Sequence, residues 1–458
     1  MRKDLRILFA TTYQNDGLYD SYGYFTRGRV MMPRTLQPGL RFIKQNIPQI
    51  EILEFPTWQE FSSVMNRGWD IVGYSFYTRE TNEILQMADC ARKAGVRELW
   101  AGNYGALEPS ISSTFDKLFV GYSEEEIARE LGLEIGELIH PPLVENMGMK
   151  SLGYPLVSVG WLYTTRGCPM KCTFCEAPVF APDVNKISVE SVERVLHYYK
   201  ERGVQFIVIH DETFGIIPEH AREIARLLKK YDLRWGCLTR ADILKKNLEE
   251  WLSNGLIGVF IGIENVNPEI LVDVQKRERI EEISEVVALL NRRDCFVIGG
   301  YIVGFEHDTV ESVKRDLRLL RQIEPDMLAL SILTPYPRTP QWTQLHQDYG
   351  IDTSDWSRFD QTHLVWNHPR LSHEDARKLV QYGYDLFEDY SAKFVHKFVS
   401  RFTEQRSFAD LHSLVLSSVR NRLHGVKAEL SYFRLTPTAN RMIQTPVSIG
   451  ARQKASVS

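Results

Sequence analysis

The stretch Thr164-Thr165-Arg166-Gly167-Cys168-Pro169-Met170-Lys171-Cys172-Thr173-Phe174-Cys175 puts three cysteines within eight residues. Their spacing is C-x3-C-x2-C. A compact loop of that length aims three thiolates at one point, and three soft ligands suit an iron–sulfur cluster. A [4Fe–4S] cluster bound by three cysteines keeps one iron open for a chelating ligand. Two other readings stand beside this one. A zinc knuckle needs a fourth ligand, and no other Cys or His lies within twenty residues of the triplet. Three buried packing cysteines are the other, but Pro169 and Lys171 make this a poor core segment.

Working outward, 458 residues suffice for roughly three domains at about 150 each. With 43% apolar and 25% charged residues the composition is that of a globular protein, which excludes disorder over most of the chain. Lys and Arg number 55 against 59 Asp and Glu, and the net charge of −4 gives no whole-chain reason to expect nucleic acid. No run approaches the roughly 18 apolar residues of a membrane span. The N-terminal run LRILF suits a first buried strand better than a secretory leader. Six cysteines in so long a chain are no disulfide framework. Cys90, Cys237 and Cys295 read as packing thiols.

Short apolar runs at 5–9, 50–55, 71–76, 98–101 and 117–120 alternate with helical spacing at 38–46, 58–66 and 80–94. This alternation implies parallel βαβ units and a doubly wound domain over 1–135. Residues 136–160 carry proline and glycine and read as a linker. A second alternation follows. Strands are expected at 160–164, 206–210, 234–238, 258–263, 296–303 and 327–332, with helices such as 189–201, 218–231 and 280–292 between them. Six βα repeats predict a curved, partly closed parallel barrel over 161–350, with its chemistry at the C-terminal strand ends. A helical region is expected over 351–434, opened by Ser372 as N-cap with Asp375 three residues on. Residues 435–458 read as a mobile tail.

The triplet follows the first barrel strand and resembles the radical S-adenosylmethionine (SAM) enzymes, where C-x3-C-x2-C with an aromatic before the last Cys holds a [4Fe–4S] cluster. Phe174 fills the aromatic position. The resemblance implies that Cys168, Cys172 and Cys175 bind the cluster and that SAM chelates the open iron. Its reductive cleavage then gives a 5′-deoxyadenosyl radical. Further landmarks fall at later strand ends. The resemblance places a polar contact to the SAM amino group in the stretch His210-Asp211-Glu212 that ends the second strand, without fixing which residue makes it, and Glu212 is the candidate. Arg240 suits the SAM carboxylate through bidentate pairing, against the alternative of an ion pair with an acid such as Asp242. Glu264 suits the ribose hydroxyls or the amine, against a solvated loop acid. Gly299, Gly300 and Tyr301 mark close backbone approach, here to adenine. Thr334-Pro335-Tyr336-Pro337-Arg338-Thr339 resembles the P-x-P-G-T turn of this branch, with Arg338 where glycine is usual.

Residues 5–132 resemble the Rossmann-like cobalamin-binding domain that precedes many radical SAM barrels, and Ser75, Gly102 and Gly121 occupy the loops expected around the cofactor tail. The D-x-H-x-x-G histidine of many such domains is absent, and the first histidine is His140. The alternative is a domain kept for packing or substrate binding. The two domains together resemble the branch holding anaerobic magnesium-protoporphyrin cyclase and the hopanoid C-methylases.

The expectation from this resemblance is cobalamin-dependent C-methylation of an unactivated carbon on an apolar or natural-product small molecule. Radical cyclisation, rearrangement or C–C bond formation without methyl transfer is the alternative, and a non-catalytic metal-binding scaffold a remote one. The implied partners are the substrate and an electron donor such as flavodoxin or ferredoxin, with no nucleic acid, and the implied setting is a reducing cytoplasm. Phe394, Phe398 and Phe402 recur at helical spacing. From 393 to 434 eight Lys and Arg stand against three acids. An amphipathic helix packed on the barrel explains this. Contact with an anionic membrane surface is the sharper expectation.

Overall fold

The computed structural model describes residues 5–14, 30–31, 36–149, 154–387, 397, 442–447 and 449. The first elements are β1 (Ile7–Ala10), β2 (Val30–Met31), α1 (Pro38–Asn46), β3 (Ile50–Leu53), α2 (Trp58–Met65), β4 (Ile71–Ser75), α3 (Thr81–Lys93), β5 (Glu98–Gly102), β6 (Lys117–Phe119) and α4 (Glu124–Glu130). These apolar runs are short because both faces of their sheet are covered, as parallel sheets require. The sheet order is β16-β3-β1-β4-β5-β6, and from β3 to β6 all pairs are parallel. The order reverses at β1 and β4, and doubly wound sheets bind ligands at the carboxyl ends of strands flanking such a point. Helix α3 stops as expected at Gly95, whose φ is +87°.

The second unit holds β7 (Val144–Met149), β8 (Tyr154–Leu162), β9 (Thr165–Arg166), α5 (Ala177–Phe180), β10 (Asn185–Lys186), α6 (Val189–Glu201), β11 (Phe206–Ile209), α7 (Pro218–Lys230), β12 (Arg234–Thr239), α8 (Ala241–Ser253) and β13 (Leu256–Glu264). It continues through α9 (Pro268–Asp273), α10 (Ile280–Arg292), β14 (Phe296–Val303), α11 (Val310–Ile323), β15 (Met327–Ile332), α12 (Pro340–Asp348) and α13 (His373–Leu386). Strands β8 and β11 to β15 run parallel in sequential order. Helices bury one face through Ile207, Val259, Ile261 and Val297. A separate cluster of Val159, Phe206, Ile257 and Phe296 fills the other face at its start. Cys237 and Cys295 are buried packing thiols, while Cys90 is half-buried.

Three expectations are corrected. Residues 136–160 hold strands rather than only a linker: β7 pairs antiparallel with β8, and β2 pairs with β7, extending the barrel sheet at one edge. Gly148 and Pro155, two of the residues that suggested a linker, pair where that register shifts, between Met147 and Gly148. The tail is not wholly free either. Met442–Ile443 forms β16, antiparallel to β3. Buried Lys44 anchors it, donating to the carbonyls of Pro48, Ile50 and Gln444 at 2.6, 2.8 and 2.6 Å. Beyond β15 the chain is not only helical, since Ile351 and Trp366 form a β-bridge. Ser372 does cap α13 in a capping box with Asp375. Phe394, Phe398, Phe402 and nearly all of 393–434 lie outside the described residues. Lys397 is described, and it pairs with Asp326 at 2.8 Å. No helix among the described residues is long and apolar enough to cross a membrane.

Candidate active site

The cysteine loop leaves the end of β8 and is clamped at once. Thr164 and Thr165 each donate a backbone N–H and a hydroxyl to the carboxylate of Asp211, at 2.5 to 3.0 Å. Asp211 follows β11 and is fully buried. Burial pushes its carboxyl up to about 6, against the four donors that favour the charged form. The clamp aims the loop across the mouth of the barrel. Gly167 then turns with φ +95°, and a side chain there would strike the carbonyls of Asp183 and Ala181.

Further bonds hold the loop in place. Cys168 N–H donates to Ala181 at 2.9 Å, Thr173 N–H to Val274 at 3.1 Å, and Gln341 N–H to Thr173 at 3.0 Å. The Thr173 hydroxyl meets the Gln341 amide oxygen at 3.0 Å. Phe174 packs edge-on against Phe305, 6.1 Å between centroids. Cys168 is buried, and Cys172 and Cys175 are half-buried. Burial pushes the Cys175 thiol up to about 12, and the thiols of Cys172 and Cys168 add to the rise. The three sulfurs therefore lie within electrostatic reach of one another. Among the described residues no three Cys, His, Asp or Glu side chains are already drawn together as a metal site. A cluster would displace the thiol protons on binding.

A buried charge network stands beside this loop. Arg240 Nε donates to Asp242 at 3.0 Å, and its Nη1 donates to the Lys276 carbonyl at 3.1 Å and lies 3.4 Å from Glu278. The Lys276 ammonium lies 3.0 Å from Glu278 and 3.6 Å from Glu264. Glu278 also accepts the N–H of Ala241 at the start of α8, at 2.7 Å. Burial opposes the charge on Lys276, but Glu264 and Glu278 outweigh it and hold its pKa above the ordinary lysine value. Cys172 feels Lys276, Glu264 and Arg240, which places the network against the loop.

The sequence-predicted SAM residues separate here. Arg240 is committed to Asp242 and Glu278, the ion-pair alternative. Glu264 is no solvated loop acid, because it folds back over Gly262 with φ +63° and faces Lys276. Gly300 pairs with Gly262 across β13 and β14 on the face away from the helices, where the absent side chains make room for the Glu264 carboxylate, the Lys276 ammonium and the Phe260 ring. Gly299 faces the other way, against Ile263 and Leu328. Tyr301 is also turned from that face. It is buried in the helix-side core, with its hydroxyl near Asp308 and Asp316. Strand alternation explains both corrections, since adjacent residues cannot share a face. Lys276 and Glu278 were missed, and their signal was a Lys-x-Glu pair in the loop that follows the fourth barrel strand's helix.

Ser75, Gly102 and Gly121 all line one cavity of about 360 Å³ between the carboxyl edge of the first sheet and the barrel mouth. Aromatic rings form part of its walls. Tyr104 packs 4.4 Å from Phe180, and Tyr122 lies 5.6 Å from the same ring. From the barrel side Arg166, His210 and Glu212 line it. Arg166 is buried, bonded through one nitrogen to both oxygens of Glu124 at 3.0 Å, with its guanidinium 3.8 Å over Phe42 and 4.6 Å over Tyr122. Glu212 accepts from the Tyr122 hydroxyl and, at 3.1 Å, from Gly167 N–H. His140 does not line the cavity. Its Nε2 accepts from Tyr163 N–H at 2.9 Å and its Nδ1 meets the Pro141 carbonyl at 2.6 Å.

Residues 162–320 match the Radical SAM superfamily. This segment is a radical SAM domain, which implies a [4Fe–4S] cluster and SAM. The chain is 26% identical over 238 residues to a Pyrococcus horikoshii protein named an uncharacterized methyltransferase, over 50% of this chain and 51% of that one. It is 29% identical over 208 residues to anaerobic magnesium-protoporphyrin IX monomethyl ester cyclase of Cereibacter sphaeroides, over 43% of this chain and 33% of the cyclase. The chain thus spans about half of the first relative and a third of the second. The solved radical SAM methyltransferase TsrM of Kitasatospora setae, with cobalamin and a [4Fe–4S] cluster bound, matches with a TM-score of 0.58 at 14% identity, over 75% of this chain and 78% of TsrM. That likeness shows a shared fold.

Proposed function

We propose that this chain is a radical SAM enzyme that methylates an unactivated carbon of an apolar or natural-product small molecule, with cobalamin as methyl carrier. The observation that carries the reading is the shared cavity, where a doubly wound sheet presents its ligand-binding edge to the mouth of the radical SAM barrel. Cys168, Cys172 and Cys175 would hold the cluster, a soft donor set that fits iron. The paired charges of Glu264 and Lys276, seated over Gly262, fit the charged amino-acid end of SAM. Small residues at Ser75, Gly102 and Gly121 fit the corrinoid tail.

When bound, these groups supply a hydrogen-abstracting radical and a transferable methyl group. The chain's own part is positional. Asp211 fixes the start of the cysteine loop, Gln341 and Val274 fix its end, and the aromatic walls keep water from a reactive site. An electron donor such as flavodoxin or ferredoxin would serve it in a reducing cytoplasm. The basic segment 393–434 would bring the enzyme to an anionic membrane surface.

One observation favours radical cyclisation or rearrangement without methyl transfer. The first histidine, His140, is committed to Tyr163 and Pro141 and offers no ligand to cobalt. The visible spectrum and corrinoid content of anaerobically purified protein decide between the two. Bound corrinoid with SAM cleavage supports methylation, and cleavage without corrinoid supports the second reading. Cleavage retained in the Cys168→Ala, Cys172→Ala, Cys175→Ala triple variant would discard both.

A further inference from the structure

The loop between β6 and α4, with Glu124 as the first residue of α4, reaches the cysteine loop by three adjacent routes. Glu124 holds Arg166 in a buried ion pair. Tyr122 bonds Glu212, whose other oxygen accepts the N–H of Gly167. Gly121, at φ +93°, lies beside Phe180, where an added Cβ would come within 3.1 Å of the Phe180 carbonyl. The next residue, Ala181, accepts the N–H of Cys168. The routes end on three consecutive residues, Arg166, Gly167 and Cys168. Gly121, Tyr122, Glu124, Arg166, Phe180 and Glu212 all line the cavity.

We propose that this loop couples the cavity to the cysteine loop, so that a corrinoid in the cavity and an iron–sulfur cluster on the cysteines each strengthen the other's binding. The proposal rests on the cofactor reading above. Its physical basis is that one set of side chains serves both sites. A ligand pressing on Tyr122 and Glu124 bears directly on Glu212 and Arg166, and these are the groups that fix the backbone entering Cys168. Arg166 is the stiffest link. Its guanidinium packs against two rings, and its Nε is buried with no hydrogen-bond partner among the described residues. A cation so desolvated depends on Glu124 to stay in place. Whichever ligand binds first favours the arrangement of these shared side chains that suits the second, which is positive cooperativity, and linkage makes the effect reciprocal.

The test measures hydroxocobalamin affinity for the full chain by quenching of tryptophan fluorescence, before and after anaerobic iron–sulfur reconstitution. In parallel, a ferrous chelator strips iron with and without hydroxocobalamin. Coupling predicts that reconstitution tightens hydroxocobalamin about tenfold, within the usual range for coupled sites, and that hydroxocobalamin slows iron loss. Glu124→Gln should abolish both effects. Tyr122→Phe keeps the ring over Arg166 and removes only the hydroxyl to Glu212, so it should fold and reduce both. Equal affinity in the two states, with binding intact, overturns the coupling and leaves the cofactor reading standing. No binding in either state overturns both. Full coupling retained in a folded Tyr122→Phe and Glu124→Gln pair also overturns it.

Discussion

The ammonium of Lys276 lies 3.0 Å from the carboxylate of Glu278, and the same lysine's backbone carbonyl accepts from Arg240, which itself lies 3.4 Å from Glu278. One buried acid therefore serves two cations beside the cysteine loop. Arg240 has further acceptors in Asp242 and a carbonyl, whereas Lys276 turns to Glu264 as well. Of the two cations, Lys276 is the one seated with Glu264 over Gly262.

Lys276→Met should therefore weaken SAM binding by about tenfold or more, because loss of a charge-assisted contact costs about 1.5–3 kcal/mol. Lys276→Arg should restore part of it. Equilibrium dialysis of SAM against reconstituted protein reads the change, with iron per chain as the control. Unchanged SAM affinity at normal iron content would remove Lys276 from the site.

Gly167→Ala should reduce iron incorporation severely while far-ultraviolet circular dichroism stays native. A left-handed φ costs a non-glycine residue about 1–3 kcal/mol, and here the added methyl also meets two backbone carbonyls that cannot retreat. Full iron loading in this variant would show that the turn relaxes freely.

His140 makes stability fall in mild acid. Burial holds its folded pKa down to about 3, while the unfolded imidazole titrates near 6.5. Below about 6.5 the unfolded state takes up a proton that the folded state refuses, so stability is lost as pH falls toward 3. At pH 5 the loss from this residue is about 2 kcal/mol. Urea unfolding from pH 7 to pH 5 should show it. His140→Asn should be less stable at pH 7 and should flatten this part of the slope.

Lys44→Met should release β16 without unfolding the first sheet. Three carbonyls lose one charged donor, a cost of about 1.5–3 kcal/mol for each bond to a charged group at most. Hydrogen exchange at Met442 and Ile443 should become fast while β1 and β4 stay protected. Protection unchanged at β16 would mean that strand pairing alone retains it.

Much of the fold was legible because it rests on local pattern. The runs at 38–46, 189–201, 280–292, 296–303 and 327–332 coincide with α1, α6, α10, β14 and β15, since each apolar stripe there has only one way to be buried. Strand β7 and the first part of β8 were missed, and only the end of β8 fell within the strand expected at 160–164, because their antiparallel pairing carries a register shift at Gly148 and the glycines and prolines there look like loop. In the site, Ser75, Gly102 and Gly121 were readable as small residues after parallel strands, and they meet at one cavity. The partners of Arg240 were not readable. Glu278 lies 38 residues further along the chain than Arg240, past β13 and α9, and nothing local announces that these charges meet. Tyr301 failed for a simpler reason: a one-residue step along β14 reverses the direction of the side chain.

The pairing of β16 with β3 bears on how the molecule assembles. Lys44 and Gln444 are 400 positions apart, so during synthesis the first sheet forms its five parallel strands long before its sixth arrives. Until then β3 is a bare edge, with a row of unpaired amides open to another chain. A nascent or truncated polypeptide that stops short of Met442 should therefore be more prone to self-association than the full sequence. Closing that edge is among the slowest contacts the chain can make, because so long a loop must close first.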